Sequence, residues 1–509
     1  MRRVWIVIIA VVVGWSFIAL AAPETVTVDG GRIAGTSANG VRAFKGIPFA
    51  APPLGALRWK APQPVVAWAG VRAADKFGAA CIQQPYPPNS PYARPPEPTS
   101  EDCLYLNVWT AAAAGDKRPV MVWIHGGAWT RGSGSVDTYD GAALAKKGVV
   151  VVTTNYRLGP FGFFAHPELT AESPQHASGN YAILDHIAAL QWVRKNIAAF
   201  GGDPGRVTVF GESAGSWSVN VVQATPLAKG LFHRAIGESG GQFARTATLV
   251  EAERLGTAFA KAAGADSLKA LRDVPAEKIL ATPLRVGVNV DGYVLPDSVR
   301  AIFERKKQSD VPVIVGSNAN EWTTLGGLDR SQYPKTLEDY RKRVEAQYRD
   351  AVKDYDAAYP VKTDADIAEA LLAVGRDQTF SLEMRTWARL VAASGRHAFL
   401  YQFTHVPPGP NPAWGAYHAS EIQYVFDNVG RRPWATDADR RLADQMSSYW
   451  VNFATTGDPN GRGLPTWSPY DPGAEPYMDL GDTVQPKSHL LKAQLDFLEQ
   501  LQERRQGSR

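Results

Sequence analysis

Arg206-Val207-Thr208-Val209-Phe210-Gly211-Glu212-Ser213-Ala214-Gly215 is the stretch on which the reading of this chain turns. Its first half is apolar and β-branched without alternation, as expected of a strand covered on both faces. It runs straight into a G-x-S-x-G pentapeptide and then a helical pattern. The pentapeptide alone is common by chance. At a strand-to-helix turn it has a physical meaning: the glycines permit a tight turn, and Ser213 is lifted above the sheet at a helix N-terminus that favours developing negative charge. A structural turn with a solvent-facing serine is the alternative.

Working outward, similar apolar runs recur at Pro119–Ile124, Gly148–Thr154, Pro312–Val315 and Ala398–Phe403. Helical stretches lie between them. Ile183, Ile187, Leu190 and Ile197 fall on one helix face that ends near Gly201-Gly202. Strands alternating with helices predict an α/β architecture, a mostly parallel sheet wound by right-handed crossovers. The first 80 or so residues carry turn signals, Asp29-Gly30-Gly31 and Ala51-Pro52-Pro53, and are expected to form an antiparallel edge. Residues 330–395 are charged and poor in strand signal, and are expected to form a helical insertion.

A second glycine-rich turn follows another apolar strand, at His125-Gly126-Gly127-Ala128-Trp129. Such a turn can offer free N–H groups to an oxyanion.

Together these segments identify a family. The chain resembles the type-B carboxylesterases, the group of para-nitrobenzyl esterases, animal carboxylesterases and cholinesterases. The resemblance runs through Phe44-Lys45-Gly46-Ile47-Pro48-Phe49-Ala50, Pro52-Pro53-Leu54-Gly55, Arg58-Trp59 and Ser100-Glu101-Asp102-Cys103-Leu104-Tyr105-Leu106-Asn107. It continues through Asn155-Tyr156-Arg157-Leu158-Gly159, Phe200-Gly201-Gly202-Asp203-Pro204, Phe232-His233-Arg234-Ala235-Ile236 and Tyr417-His418-Ala419-Ser420-Glu421-Ile422.

The resemblance implies an α/β-hydrolase fold and serine-dependent hydrolysis of small-molecule carboxylic esters, with no metal or cofactor. It implies Glu321, in Ser317-Asn318-Ala319-Asn320-Glu321, as the acid and His418 as the base beside Ser213. The order Ser, acid, His is the one this fold uses. Among the remaining histidines His397 and His405 are the nearest rivals, and Asp291 is the rival acid, though a turn explains it equally. The implied oxyanion donors are the N–H groups of Gly127, Ala128 and Ala214. An arginine and a glutamate pair in the family's motifs, which implies an Arg58–Glu101 ion pair.

Three departures from the family pattern stand out. Ala128 replaces a third glycine. Asp185-His186 and Glu238 stand where relatives usually carry glutamine. The segment between the cysteines has Tyr86 and Tyr92 rather than the tryptophan that holds quaternary ammonium in cholinesterases, so choline esters are not expected as the main substrate.

Composition sets the remaining bounds. With 45% hydrophobic and 20% charged residues, the 509-residue chain sits within the range of a globular enzyme. Of its net charge of +4, Arg2 and Arg3 supply two, which leaves too little for nucleic-acid or anionic-membrane binding. Those arginines, the apolar run Val4–Leu20 and the small residues of Ala19-Leu20-Ala21 read as a signal peptide over residues 1–21, with an uncleaved anchor as the alternative. Residues 22–509 then form one secreted or periplasmic domain, with no stable membrane insertion once the signal is cleaved. In that setting the two cysteines, Cys81 and Cys103, are expected to be bridged, which stabilises by roughly 3 kcal/mol on a loop-entropy account.

Overall fold

A computed structural model describes residues 24–409 and 411–507. The expected signal segment, residues 1–21, lies outside them. Among the described residues the centre of the molecule is an eleven-stranded sheet. In chain order its strands are β1 Thr36–Ala38, β2 Val41–Pro48, β3 Tyr105–Thr110, β4 Arg118–Ile124, β5 Val150–Thr154 and β6 Gly202–Glu212. Then come β7 Arg234–Glu238, β8 Val313–Asn318, β9 Ala398–Phe403, β10 Pro476–Leu480 and β11 Val484–Ser488.

Across the sheet the order is β11-β10-β9-β8-β7-β6-β4-β5-β3-β2-β1. The run from β10 to β5 is parallel throughout. β1, β2 and β3 close one edge antiparallel, and β11 pairs antiparallel with β10 at the other. All five strands expected from the apolar runs are present.

Burial on both faces explains why those runs lack alternation. Val120, Val122 and Ile124 of β4 join one apolar core with Ile183, Ile187 and Val219. Met121 and Trp123, on the opposite face, join another with Phe210, Trp450 and Phe453. The first core is roofed by α1 Tyr181–Asn196 and α2 Ala214–Ala224. After α1 a short 3₁₀ turn leads to Gly201, whose left-handed φ of 83° ends the helix at the glycine pair noted in the sequence.

Two expectations are amended. The hairpin Thr25–Val28/Gly31–Ala34 does not join the large sheet; it forms a three-stranded sheet of its own with Val71–Ala73. Only β1 and β2 supply the N-terminal antiparallel edge. The helical segment divides into α3 Leu337–Tyr348, α4 Val352–Ala358, α5 Ile367–Arg376 and α6 Leu382–Ala393, with a π-helical turn at Asp377–Ser381. α6 is the crossover from β8 to β9, with Trp387 fully buried in the first core. α3 and α4 instead build a satellite core from Tyr340, Val344, Tyr348 and Tyr355. Further on come α7 Asp437–Thr456, which covers the second core, and α8 Lys492–Gly507. Leu495, Phe497, Leu498 and Leu501 of α8 complete the satellite core.

Cys81 and Cys103 form a disulfide with Cα atoms 4.9 Å apart. The segment it closes is almost entirely irregular, with Thr99–Ser100 paired to Ala80–Cys81 at its base. Beside it, Arg58 grips Glu101 bidentately, Nε donating to Oε2 at 2.7 Å and Nη2 to Oε1 at 2.6 Å. Arg58 Nη1 also donates to the carbonyls of Arg272 and Val274. With both side chains about nine-tenths buried, loss of one partner strands a desolvated charge. A double-mutant cycle with Arg58→Met and Glu101→Gln should therefore give a coupling energy of about 1–3 kcal/mol in chemical denaturation. Additive single-mutant losses would show that the pair acts as two independent groups.

Candidate active site

Ser213 sits between the end of β6 and the start of α2, at φ 56° and ψ −123°. A side chain with a Cβ reaches such a conformation at a cost of about 1–3 kcal/mol, met here by the surrounding fold. Its N–H donates to the Glu238 carbonyl at 2.8 Å, and its carbonyl accepts from Trp217 N–H at 2.9 Å. The flanking glycines are required by close approach to β4. A Cβ on Gly211 or Gly215 would come within 2.6 Å or 2.0 Å of the Ile124 carbonyl oxygen. The second turn lies against the first, since a Cβ on Gly126 would stand 3.0 Å from Ser213 Cβ.

Glu321 and His418 come from loops after β8 and β9 and meet in the buried interior. His418 Nδ1 lies 2.6 Å from Glu321 Oε2. Glu321 Oε1 accepts from the Asn318 N–H at 2.7 Å and from Ser239 Oγ at 2.5 Å. A carboxyl that accepts a fixed backbone N–H on one oxygen is oriented to accept from the imidazole on the other. That assigns the proton to Nδ1 and leaves Nε2 with its lone pair. Nε2 lies 3.1 Å from Oε1 of Glu212, the residue before Ser213. Phe380, carried by the π-helical turn, packs on the His418 ring with centroids 4.9 Å apart.

Ser213 and His418 line one cavity of about 480 Å³, together with Gly127 and Ala128. The N–H groups of Gly127, Ala128 and Ala214 enter no hydrogen bond among the described residues. Tyr86 and Tyr92, from the disulfide-closed segment, form part of the wall. The Tyr92 hydroxyl donates to the His418 carbonyl at 3.3 Å and pairs with Thr324 Oγ1 at 2.8 Å.

Four glutamates around this site, Glu212, Glu238, Glu321 and Glu421, are nearly or fully buried, and Glu212 also lines the cavity. Burial, with the neighbouring Glu321 and Glu238, pushes the Glu212 carboxyl well above the usual range. Burial does the same to Glu421 and raises Glu238 to about 8. Glu238 Oε1 accepts from Trp450 Nε1 at 2.8 Å, and Asn318 Nδ2 donates to Glu421. The neutral form of Glu238 is thus favoured at pH 7, and burial shifts Glu212 and Glu421 in the same direction. Glu321 is the one with three donors around it.

The other flagged residues lie elsewhere. His397 is exposed at the start of β9. His405 is held between Asp439 and Asp482 at 2.8 and 2.6 Å. Asp291 accepts from the Tyr293 and Leu295 N–H groups and from Asn180, as a turn-forming aspartate does. Asp185 is clamped by Arg157, and His186 packs against Tyr156, which also stacks with His125. Burial lowers both histidines to about 3, so each stays neutral at pH 7.

Reading the residues alone did not single out Glu212, Ser239 or Asn318 as neighbours of the histidine and its acid. Their only local signal is position. Glu212 adjoins the serine, Ser239 follows the end of β7, and Asn318 ends β8, all at the carboxyl edge of the sheet where this architecture places sites.

A serine raised on a strand–turn–helix in a mostly parallel sheet, with a histidine and a carboxylate from later strand ends, defines an α/β-hydrolase. A model of the "Carboxylesterase family" matches residues 22–498. The fumonisin B1 esterase of Sphingopyxis macrogoltabida is 37% identical, over 93% of this chain and 91% of its own. The para-nitrobenzyl esterase of Bacillus subtilis is 36% identical over 88% and 92%. Among solved structures, a carboxylesterase of Geobacillus stearothermophilus superposes with a TM-score of 0.81 at 33% identity, covering 93% of this chain and 99% of that one. The chain belongs to the carboxylesterase family, and its activity is serine-dependent hydrolysis of carboxylic esters.

In this setting Ala128 acquires a steric meaning. Its methyl is exposed in the cavity, and its backbone is left-handed at φ 54°. A tertiary alcohol group needs room beside the scissile carbonyl, so tert-butyl acetate should be cleaved more slowly than ethyl acetate. Ala128→Gly keeps the N–H, removes the methyl and relaxes the backbone. It should raise kcat/KM for the tertiary ester relative to the ethyl ester, by less than about 200-fold, the most one methyl of fit supplies. An unchanged ratio would remove Ala128 from the alcohol side of the pocket.

Proposed function

We propose that Ser213, His418 and Glu321 are the nucleophile, base and acid of this esterase. The observation that carries the assignment is the hydrogen-bond pattern of Glu321. With donors on Oε1, it presents Oε2 to His418 Nδ1 beside the cavity that Ser213 lines.

His418 Nε2 takes the Ser213 proton as Oγ attacks the ester carbonyl. The charge that develops on the carbonyl oxygen is met by the N–H groups of Gly127, Ala128 and Ala214. His418 then gives its proton to the departing alcohol, leaving an acyl group on Ser213. Water enters, loses a proton to His418 and attacks the acyl carbon. The acid leaves and Oγ regains the proton. Glu321 holds the ring and stabilises its cationic form without taking the proton.

The same reading makes residues 1–21 an export signal and residues 22–509 one catalytic domain, released to a secreted or periplasmic location. The disulfide supports it, since such a bond persists where the surroundings are oxidising. No helix among the described residues is long and apolar enough to cross a membrane. The test is turnover by the purified chain of ethyl acetate, N-ethylacetamide and ethyl N-methylcarbamate. Hydrolysis of the ester ahead of the other two is expected; preference for the amide or the carbamate would replace the proposed reaction.

A further inference from the structure

The cavity over Ser213 is lined by arginines. Arg94, Arg131 and Arg432 face it, whereas its acidic residues are Asp137 and Glu212. Arg432 is matched by Asp137 at 3.1 Å, and Arg94 approaches Glu97 at 3.5 Å. Glu97 is also engaged by the hydroxyls of Ser133 and Ser135. The Glu212 carboxyl is nearly fully buried, and burial shifts its titration upward.

Arg131 is left over. Its Nε donates to the carbonyls of Gln84 and Pro85, and among the described residues no carboxylate pairs with it. The two Nη groups, which present the paired donors that fit a carboxylate, have no partner among the described residues.

The guanidinium is also held in position. Arg131 and Arg94 both lie over the Tyr86 ring, at 5.5 and 5.7 Å from its centroid. The Tyr86 hydroxyl reaches the oxyanion turn, 3.1 Å from where a Cβ on Gly127 would stand. Arg131 belongs to that same turn, its N–H donating to the Gly127 carbonyl at 3.0 Å. A loop pin would need only Nε. Arg131 is only half-buried, so its Nη donors stay open to water until an anion displaces it.

Resting on the esterase reading above, we propose that the physiological substrate is an ester bearing a carboxylate, such as a half-ester of a polycarboxylic acid, and that Arg131 is the residue that selects it. The carboxylate occupies the Nη pair of Arg131, with Arg94 adding to the field, while the ester carbonyl lies over Ser213. Hydrolysis then follows the steps above with no further reactant.

Two pairs of shape-matched esters test this. Monoethyl succinate is compared with ethyl 4-methylpentanoate, in which an isopropyl group replaces an acyl-side carboxylate. Acetoxyacetate is compared with isobutyl acetate, which does the same on the alcohol side. For at least one pair the anionic ester should have a kcat/KM about tenfold or more above its neutral match, a preference of about 1.4 kcal/mol. That ratio should shrink as salt is added. It should fall by about tenfold in Arg131→Met and be only partly kept in Arg131→Lys, which retains the charge but not the fork.

Neutral esters preferred in both pairs, or a ratio that Arg131→Met leaves in place, would overturn the proposal while leaving the esterase intact. Should Arg131→Met not fold, a salt-independent ratio in the parent overturns it equally. No turnover of any of the four esters would overturn the esterase reading itself, and this proposal with it.

Discussion

Ser213→Ala is expected to lower kcat/KM for ethyl acetate by on the order of 10⁴-fold or more, with no loss of stability. On the proposed assignment no acyl-enzyme forms without Oγ, and only binding and the proposed oxyanion N–H groups remain to act on the substrate. Stability should hold because alanine keeps the Cβ that sets the backbone strain at φ 56°. Ser213→Gly offers a control. It should lose the same activity yet unfold at a higher temperature, since glycine adopts this conformation without the strain. If Ser213→Ala kept a tenth of the parent's turnover, another residue would be the nucleophile.

Glu321→Gln carries the second large effect, again on the order of 10⁴-fold in kcat. The Asn318 N–H and the Ser239 hydroxyl both approach one side of the carboxyl. In the variant these donors fix the amide oxygen, so the NH₂ group turns toward His418 Nδ1. An NH₂ cannot accept from Nδ1–H, so the imidazole must carry its proton on Nε2. There it cannot take the proton of Ser213. The loss should appear in kcat for ethyl acetate rather than in KM, and His418→Ala should add little to it, because the residues act as a unit. A Glu321→Gln enzyme within tenfold of the parent would show that Glu321 is not the acid.

What could be read from the sequence follows from what is local in it. β4, β5, β6, β8 and β9 are central strands, each carrying an unbroken apolar run because both faces are covered, and the Ser213 turn adds two glycines whose Cβ atoms would strike the Ile124 carbonyl. The edges were less legible. An alternating or polar segment shows that one face is exposed but does not name its partner. So the hairpin at Thr25–Ala34, expected in the antiparallel edge, pairs in a sheet of its own, and Pro476–Ser488, interrupted by Pro486, carries no clear strand signal.

The candidate site divides in the same way. Ser213 stood out from its strand–turn–helix setting, whereas Glu321 and His418 were placed by resemblance to a family. Their surroundings left no trace along the chain. Tyr92 meets His418 across 326 residues, and Ser239 meets Glu321 across 82. Phe380 reaches the imidazole from a π-helical turn that no periodicity marks. The unmatched charge of Arg131 is likewise a property of several segments brought together around one cavity.

The central claim, that Ser213 Oγ is the group that becomes acylated, is tested most directly with a fluorophosphonate that traps the acyl-enzyme step. Intact-mass measurement followed by peptide mapping should show one phosphonyl group per chain, on the peptide containing Ser213, with activity lost in proportion to labelling. Ser213→Ala should take up none. Stoichiometric labelling at any other residue, or full esterase activity in protein whose Ser213 is phosphonylated, would contradict the account.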